Sequence, residues 1–570
     1  MPDLEHTYLD YDLTLLKAIA EQAGLELSAP NARAAAVELA AALQNPEAVD
    51  LLVTHVLGDP TRSVQSPPEA SDLQSQTRLA LEALIQAEGR LPAAPFIRRF
   101  GEQRPLGPAA LARERPWENP ANATEALYFN GLIGRAFMES DTGPQEFFFI
   151  PGDLLPLLPK VESSPEVSPA EAIAPAESPA AQPASSAIVD DAVTVLAAIQ
   201  LGRPLDDHLA PHLRLPALDL ILALLADLNL LNPPEGFKPS GGSRLNPEPA
   251  KNFLRCSRGE QLRQLAEAWR DSKAWNDLWH VPTLRAEPGA WANEPVTTRA
   301  FVIRLCADLP IGEWRSLESF VAFVREHHPD FQRPAGDYDS WYIRDAKTGD
   351  YLRGFERWDD VDGALLRYLI MGPLHWLGLV DKSESSDAFR LTPIFEAFAQ
   401  ASGSEWKIVD VPKPVIARGD GVLLVSRSVN RYDRFQAARI GEWLAPGPLA
   451  GDDAYSYRLT GNSLQAAARQ GITARHIAAF LRRACERVPK HLIEMVERWG
   501  RNGIEVRAGQ ALVLRVSSSD LLDFLRRSPQ ASRHLGEALG PTAVEVKNWE
   551  KLREAMIELG LAAEYLDRAV

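Results

Sequence analysis

The sequence predicts a mainly α chain with small β hairpins, an α+β organisation spread over several domains. Three observations predict it. Apolar residues recur at helical spacing through most of the chain, and short alternating stretches follow several of those helices. A run rich in Pro, Ala, Ser and Glu at 160–186 then interrupts the pattern. At 570 residues the chain exceeds one core, and at roughly 100–200 residues per domain about four domains are expected.

Residues 1–62 read as a helical unit of helix, extended connection and helix. Leu13, Leu16, Ile19 and Ala20 form one stripe, and Val37, Leu39, Ala40 and Leu43 the next. The outline resembles SAP-type DNA-binding modules. Its acidic residues far outnumber Lys17 and Arg33, the wrong sign for phosphate, so a protein-contacting unit is expected. Residues 74–158 carry helices at Leu79–Ile85, Phe96–Phe100 and Glu125–Ile133, then a hairpin around Asp141-Thr142-Gly143. Residues 160–186 should be a disordered linker. A second module, 187–285, and a third, 296–402, follow; the third contains an insertion at 329–358 with Trp341, Tyr342, Tyr351 and Trp358.

One local pattern recurs in all three modules. A long apolar helix ends in Leu132-Ile133-Gly134, Leu228-Asn229-Leu230-Leu231 or Leu377-Gly378-Leu379-Val380. A polar loop follows, and a strand closes at a proline, at Ile150-Pro151, Asn246-Pro247 and Thr392-Pro393. A third helix, a wing and a proline that ends strand pairing for want of an N–H would produce this order. Tandem winged helices are therefore the expected architecture of 74–402.

The C-terminal region, 412–570, begins with strands at Val415-Ile416 and Val422–Val425 and a helix at Tyr432–Leu444. Two helices in series follow, with Leu464, Ala467 and Ala468 on one and Ile477, Phe480 and Leu481 on the next. Thr460 and Thr473 are placed to cap them. A third helix runs from Lys490 to Trp499, and a hairpin of Ile504, Val506 and Leu512–Val516 around Gly509 is expected after it. A helix at His534–Leu539, a strand at Ala543–Val546 and a last helix from Trp549 complete the pattern.

Tyr457-Arg458-Leu459-Thr460, Ser463-Leu464 with Ala467, Gly471, Ile477 with Phe480-Leu481, and Trp499 stand in an order that resembles the N-terminal domain of XPB-type DNA helicases. The same domain occurs in bacterial helicase-associated proteins that lack the motor. Gly372–Asp381, GPLHWLGLVD, resembles a stretch of those proteins upstream of the domain. The resemblance implies an accessory fold for docking or DNA contact, with no catalytic residues and no cofactor.

The motifs searched for agree with that implication. No G-x-x-x-x-G-K-[ST] loop is present to cradle phosphates, and no H-E-x-x-H or G-x-S-x-G occurs. Cys256, Cys306 and Cys485 form no C-x-x-C pair, so no metal site or disulfide framework is expected. The acidic start MPDLEHTYLDYDL lacks a signal peptide's basic and apolar regions. Without a membrane-length apolar run, the chain is expected to be cytoplasmic.

Charge supplies the candidate contacts. The whole chain carries −17, which disfavours indiscriminate binding to polyanions but allows a local basic face. Between Arg469 and Arg507 nine basic residues oppose four acidic ones: Arg469, Arg475, Arg482, Arg483, Arg487, Lys490, Arg498, Arg501 and Arg507. A second basic group, Arg98, Arg99, Arg104, Arg113 and Arg115, lies between helices of the first module. Duplex or forked DNA, an acidic partner such as a helicase or another DNA-processing protein, and plain solubility all fit such patches. The function expected is that of a non-catalytic DNA-binding accessory protein; the alternative is an adaptor that docks onto a helicase without touching DNA.

Overall fold

The predicted apolar stripes become the buried faces of short helices, and short strands form small sheets, with hairpins paired antiparallel. The computed structural model describes residues 1–58, 68–140, 143–159, 168–177, 180–232, 244–289, 291–333, 335–400, 406, 408, 410–445, 454–506 and 510–564. They form two compact units. The first comprises 1–414, 425–439 and 443–456, and the second 415–424, 440–442 and 457–570. The fold is mixed α/β with small antiparallel sheets. Among the described residues no helix is long and apolar enough to cross a membrane.

In the first unit, helices Leu4–Tyr8, Leu13–Gln22, Ala32–Ala42 and Pro46–Leu57 start at Asp3, Asp12, Asn31 and Asn45, whose side chains accept first-turn N–H groups. Their apolar faces share one core with residues 80–158, so the predicted 1–62 unit and 74–158 module are not separately packed. The Tyr8 and Tyr11 hydroxyls donate to the carbonyls of Gly131 and Ile133 at 3.0 and 3.2 Å. Gly131 has φ +71°, and a Cβ there would lie 2.8 Å from the Tyr8 oxygen. Both conformation and contact therefore require glycine.

Residues 68–149 run helix (Pro68–Gln86), strand (Arg90–Pro92), helices Ala93–Phe100, Pro108–Glu114 and Ala123–Tyr128, then strands Gly134–Ser140 and Gly143–Phe149. The last strand lies between the other two, with Phe148 opposite both Leu91 and Arg135. Hairpins also follow the long helices of the next two modules, pairing Leu231 with Leu245 and Val380 with Leu391. In both, the residue before the proline closes the unit: Asn246 N–H donates to Leu230 at 2.9 Å, and Thr392 N–H to Leu379 at 3.0 Å. Pro247 and Pro393 then open helices, where a missing N–H costs nothing. The Thr392 hydroxyl makes no capping bond to that helix and donates to the Gly378 carbonyl at 2.9 Å.

The predicted linker is partly structured. Residues 160–167 and 178–179 lie outside the described residues, but Pro169–Ala172 is helical and Ala181–Gln182 forms an edge strand on Val380–Ser383. Ala174 N–H donates to the Ser319 hydroxyl at 2.9 Å and Ala184 N–H to the Asp381 carboxylate at 2.7 Å. A Pro-rich segment without a core of its own can still order on the edge of another element's sheet.

Helix Ala187–Gln200 is buried on nearly every side and carries Asp190 and Asp191 inward. The Asp190 carboxylate accepts from Arg258 at 3.0 and 3.1 Å and from Arg427 at 2.8 Å, while Arg434 bonds the Asp190 carbonyl at 2.8 Å. Beside it Arg431 pairs with Asp410 and donates to Gln261 at 3.0 Å. Burial alone would raise the Asp190 pKa, but Arg258 and Arg434 outweigh it and hold the group below the ordinary range. Asp191 has no such guanidinium clamp. It accepts the N–H groups of Arg214 and Leu215 at 2.9–3.0 Å, and burial pushes its pKa up to about 6.

In the second unit Ile416 and Ala417 pair with Leu424 and Leu423. Helices Gly461–Arg469, Ala474–Ala484 and Lys490–Asn502 follow. Three predicted elements differ. The hairpin around Gly509 does not form: residues 503–506 are not a strand, 507–509 lie outside the described residues, and Leu512–Arg515 pairs with Ala543–Val546. The predicted His534–Leu539 helix is the strand Leu535–Gly540, which pairs with the other edge of 543–546. The helix expected to reach Leu444, which lies almost wholly in the first unit, ends at Ile440, before a short strand at Glu442–Trp443. Long-range pairing overrides local preference in the first two cases, because the 512–515 and 535–540 strands complete a sheet over a separate small core of Leu522, Leu525, Val544 and Leu552.

The sign of the Asp191 effect is testable. Its folded pKa lies above that of a free aspartate, so its contribution to stability is present below about pH 4 and lost as pH rises through about 6. The stability difference between wild type and Asp191→Asn should therefore shift by up to roughly 3 kcal/mol in favour of the variant between pH 4 and pH 7. Denaturant unfolding at both pH values checks it.

Candidate nucleic-acid interface

The three helices at 461–502 are amphipathic for a simple reason. Leu464 and Ala467, Ile477, Ala478 and Leu481, and Leu492 and Val496 turn inward, which leaves the arginines between them outside. Thr460 and Thr473 form the expected caps, each with a reciprocal bond, from Ser463 and His476. A Cβ on Gly500 would sit 2.4 Å from that of Ala474, so glycine permits the close approach of the second and third helices. Leu459 N–H donates to Gly421 at 2.9 Å and Val415 N–H to Ala484 at 2.9 Å, fixing the helices to the 415–424 segment.

Arg469, Arg475, Arg482, Arg483, Arg487, Lys490, Arg498 and Arg501 are all exposed. They differ in how far they are neutralised. Arg482 pairs with Glu497 at 2.9 Å, Lys490 lies 3.7 Å from Glu494, and Arg498 binds Glu505, which also accepts from Asn502 at 2.7 Å. Those bonds, from Arg498 first, hold the Glu505 carboxyl below its ordinary range. Arg483 lies 5.8 Å from the Phe480 ring centre. Among the described residues Arg469, Arg475, Arg487 and Arg501 make no ion pair. Arg507 lies outside the described residues.

The other predicted patch is largely consumed inside the first unit. Arg98 binds Asp330 and stacks over Phe355 and Tyr338 at 4.6 and 5.2 Å. Arg104 grips the fully buried Glu125 with two bonds at 2.6 and 2.7 Å and reaches Glu114 at 3.2 Å. Glu125 also accepts the backbone N–H groups of Arg104 and Ala121, so burial is outweighed and its pKa is lowered. Arg113 pairs with Glu114 and Arg115 with Glu118. Arg99 is exposed, 5.1 Å from the Phe100 ring centre. Of these five arginines, Arg99 is the one without an ion pair among the described residues.

Sequence reading did not find Glu125. Its signal was Asn122, whose side chain accepts the Glu125 N–H at 3.0 Å and starts the helix, placing the carboxylate where first-turn donors converge. The aromatic insertion divides: Trp341 and Trp358 are buried, the latter donating to Pro329 at 2.8 Å, while Tyr342 and Tyr351 are exposed. Among the described residues no cluster of three His, Cys, Asp or Glu side chains could hold a metal.

Because they are exposed and make no ion pair among the described residues, Arg469→Glu, Arg475→Glu and Arg487→Glu should each change unfolding free energy by less than about 0.5 kcal/mol. Glu125→Ala should cost about 3 kcal/mol by leaving Arg104 and two backbone N–H groups without their acceptor. Chemical denaturation of the variants distinguishes the two classes. Residues 448–540, which include the three amphipathic helices and the 512–515 and 535–540 strands, match the family described as helicase conserved C-terminal domain. No curated protein matches the chain.

Proposed function

We propose that this chain is a non-catalytic accessory protein of DNA processing that contacts duplex or forked DNA through the arginine-bearing face of its second unit. The observation that carries the reading is the exposed set Arg469, Arg475, Arg487 and Arg501, without ion pairs among the described residues of a chain at −17. Arg469, Arg475 and Arg501 project from helices and Arg487 from the connection between two of them, and exposed cations of this kind neutralise phosphates and release counterions. The helix, strand, helix, helix and hairpin order of 68–149 supports reading that part as a winged helix, and the hairpins after the next two long helices support the same for their modules. The order of motifs from Tyr457 to Trp499 supports an XPB-type N-terminal-like domain over 412–570.

A second reading has its own support. The match to a helicase conserved C-terminal domain favours an adaptor that docks onto a helicase by the same face. Salt titration separates the two. Under the first, log K for a DNA duplex falls linearly with log salt, and Arg475→Glu or Arg487→Glu lowers the slope by about one. Absence of binding at low salt, together with nuclease-resistant recovery of a helicase in a pull-down, supports the adaptor.

A further inference from the structure

We infer that a small ribbon in the first unit, built from Leu284–Ala286, Ile343–Asp345 and the segment at 351–353, is a stacking surface for single-stranded DNA. This deepens the DNA reading and rests on it, but uses residues of the first unit rather than the basic helices of the second. Arg285 pairs with Arg344 across the two strands, Arg344 bridges on to Tyr351, and Leu352 N–H donates to Ile343 at 2.9 Å. Alternation along each strand then separates two faces. Leu284, Ile343 and Leu352 are buried on one. The other carries Arg285, Glu287, Tyr342, Arg344, Tyr351 and Arg353.

That second face combines open rings with excess positive charge. Tyr342 and Tyr351 are 40% and 39% exposed. Their ring centres lie 6.5 Å apart at 69°, so they offer two separate faces rather than one continuous stack. Arg344 lies over the Tyr351 ring at 3.6 Å, and Arg353 reaches Tyr351 and Tyr342 at 4.9 and 5.8 Å. Arg285 and Arg344 stand directly opposite one another, a like-charge pair that disfavours the ribbon unless anions lie close. Glu287, which accepts from Arg344 at 2.8 Å and from the Tyr351 hydroxyl at 3.2 Å, supplies one anion for three guanidiniums. Asp345 is turned to the 347–348 backbone, accepting both N–H groups at 2.8 Å.

A polyanion bearing flat apolar rings complements such a face. Bases present their faces to tyrosines when unstacked, while the phosphates between them meet the arginines. A duplex keeps those base faces covered. The occupant is therefore a single strand.

The test uses the full chain and fluorescence anisotropy with two labelled probes, an oligothymidylate of about 12 nucleotides and a blunt duplex of the same length. Tyr342→Ala and Tyr351→Ala should each weaken oligothymidylate binding roughly ten-fold, with duplex binding unchanged and Tyr342→Phe close to wild type. Unchanged unfolding midpoints exclude loss of fold. Wild-type affinity for the oligothymidylate in both alanine variants overturns the proposal, as does failure of the wild-type chain to bind it. Equal loss on both probes overturns it too. The basic-face reading fails separately, when the duplex is not bound or when Arg475→Glu leaves its affinity unchanged.

Discussion

A fully buried carboxylate, Asp190, is the constraint on which the first unit's assembly depends. Removing such a group from water costs several kcal/mol, and the cost is offset only where cations and donors meet it in good geometry. Arg258, Arg427 and Arg434 come from two other parts of the chain, and all three bond this one residue. Helices 187–200, 258–271 and 431–440 are consequently tied in one arrangement, since separating any of them strands a charge in an apolar interior. Asp277 repeats the device nearby, accepting from Arg299 at 2.6 Å and from two tryptophan N–H groups, of Trp269 and Trp275.

Those interior pairs also explain what is left for the surface. Arg258, Arg299, Arg431 and Arg434 are spent on folding, and so, in the first module, are Arg98 and Arg104. In 461–502 the apolar stripes of the helices point inward and the arginines outward; Arg482 and Arg498 meet surface carboxylates, whereas Arg469, Arg475, Arg487 and Arg501 make no ion pair among the described residues. One residue type thus performs two jobs in the same chain. Burial and the position of carboxylates decide which.

Much of this was readable in advance. The stripes of Leu464, Ile477 and Leu481, the caps at Thr460 and Thr473 and the hairpins closing at Pro247 and Pro393 follow from local rules, because spacing, side-chain oxygens and a missing N–H act over a few residues. The strand at 535–540 was not readable that way. It exists because 543–546 offers a free edge, and a neighbour distant in sequence leaves no local sign. The same holds for Ala181–Gln182, whose composition describes an unstructured tether but whose N–H and C=O groups find a sheet edge.

The sequence by itself determined the helical segments, the recurring hairpin-and-proline ending and the contrast between an acidic chain and a basic stretch at 469–507, since these depend on residue order and charge alone. Tertiary structure decided which charges remain outside. Arg104 and Arg469 look alike in a list of residues, but Glu125 is folded against the first, and the described structure brings no carboxylate into an ion pair with the second. The physical reason is that an ion pair forms between neighbours in space, and only the folded chain says which residues those are.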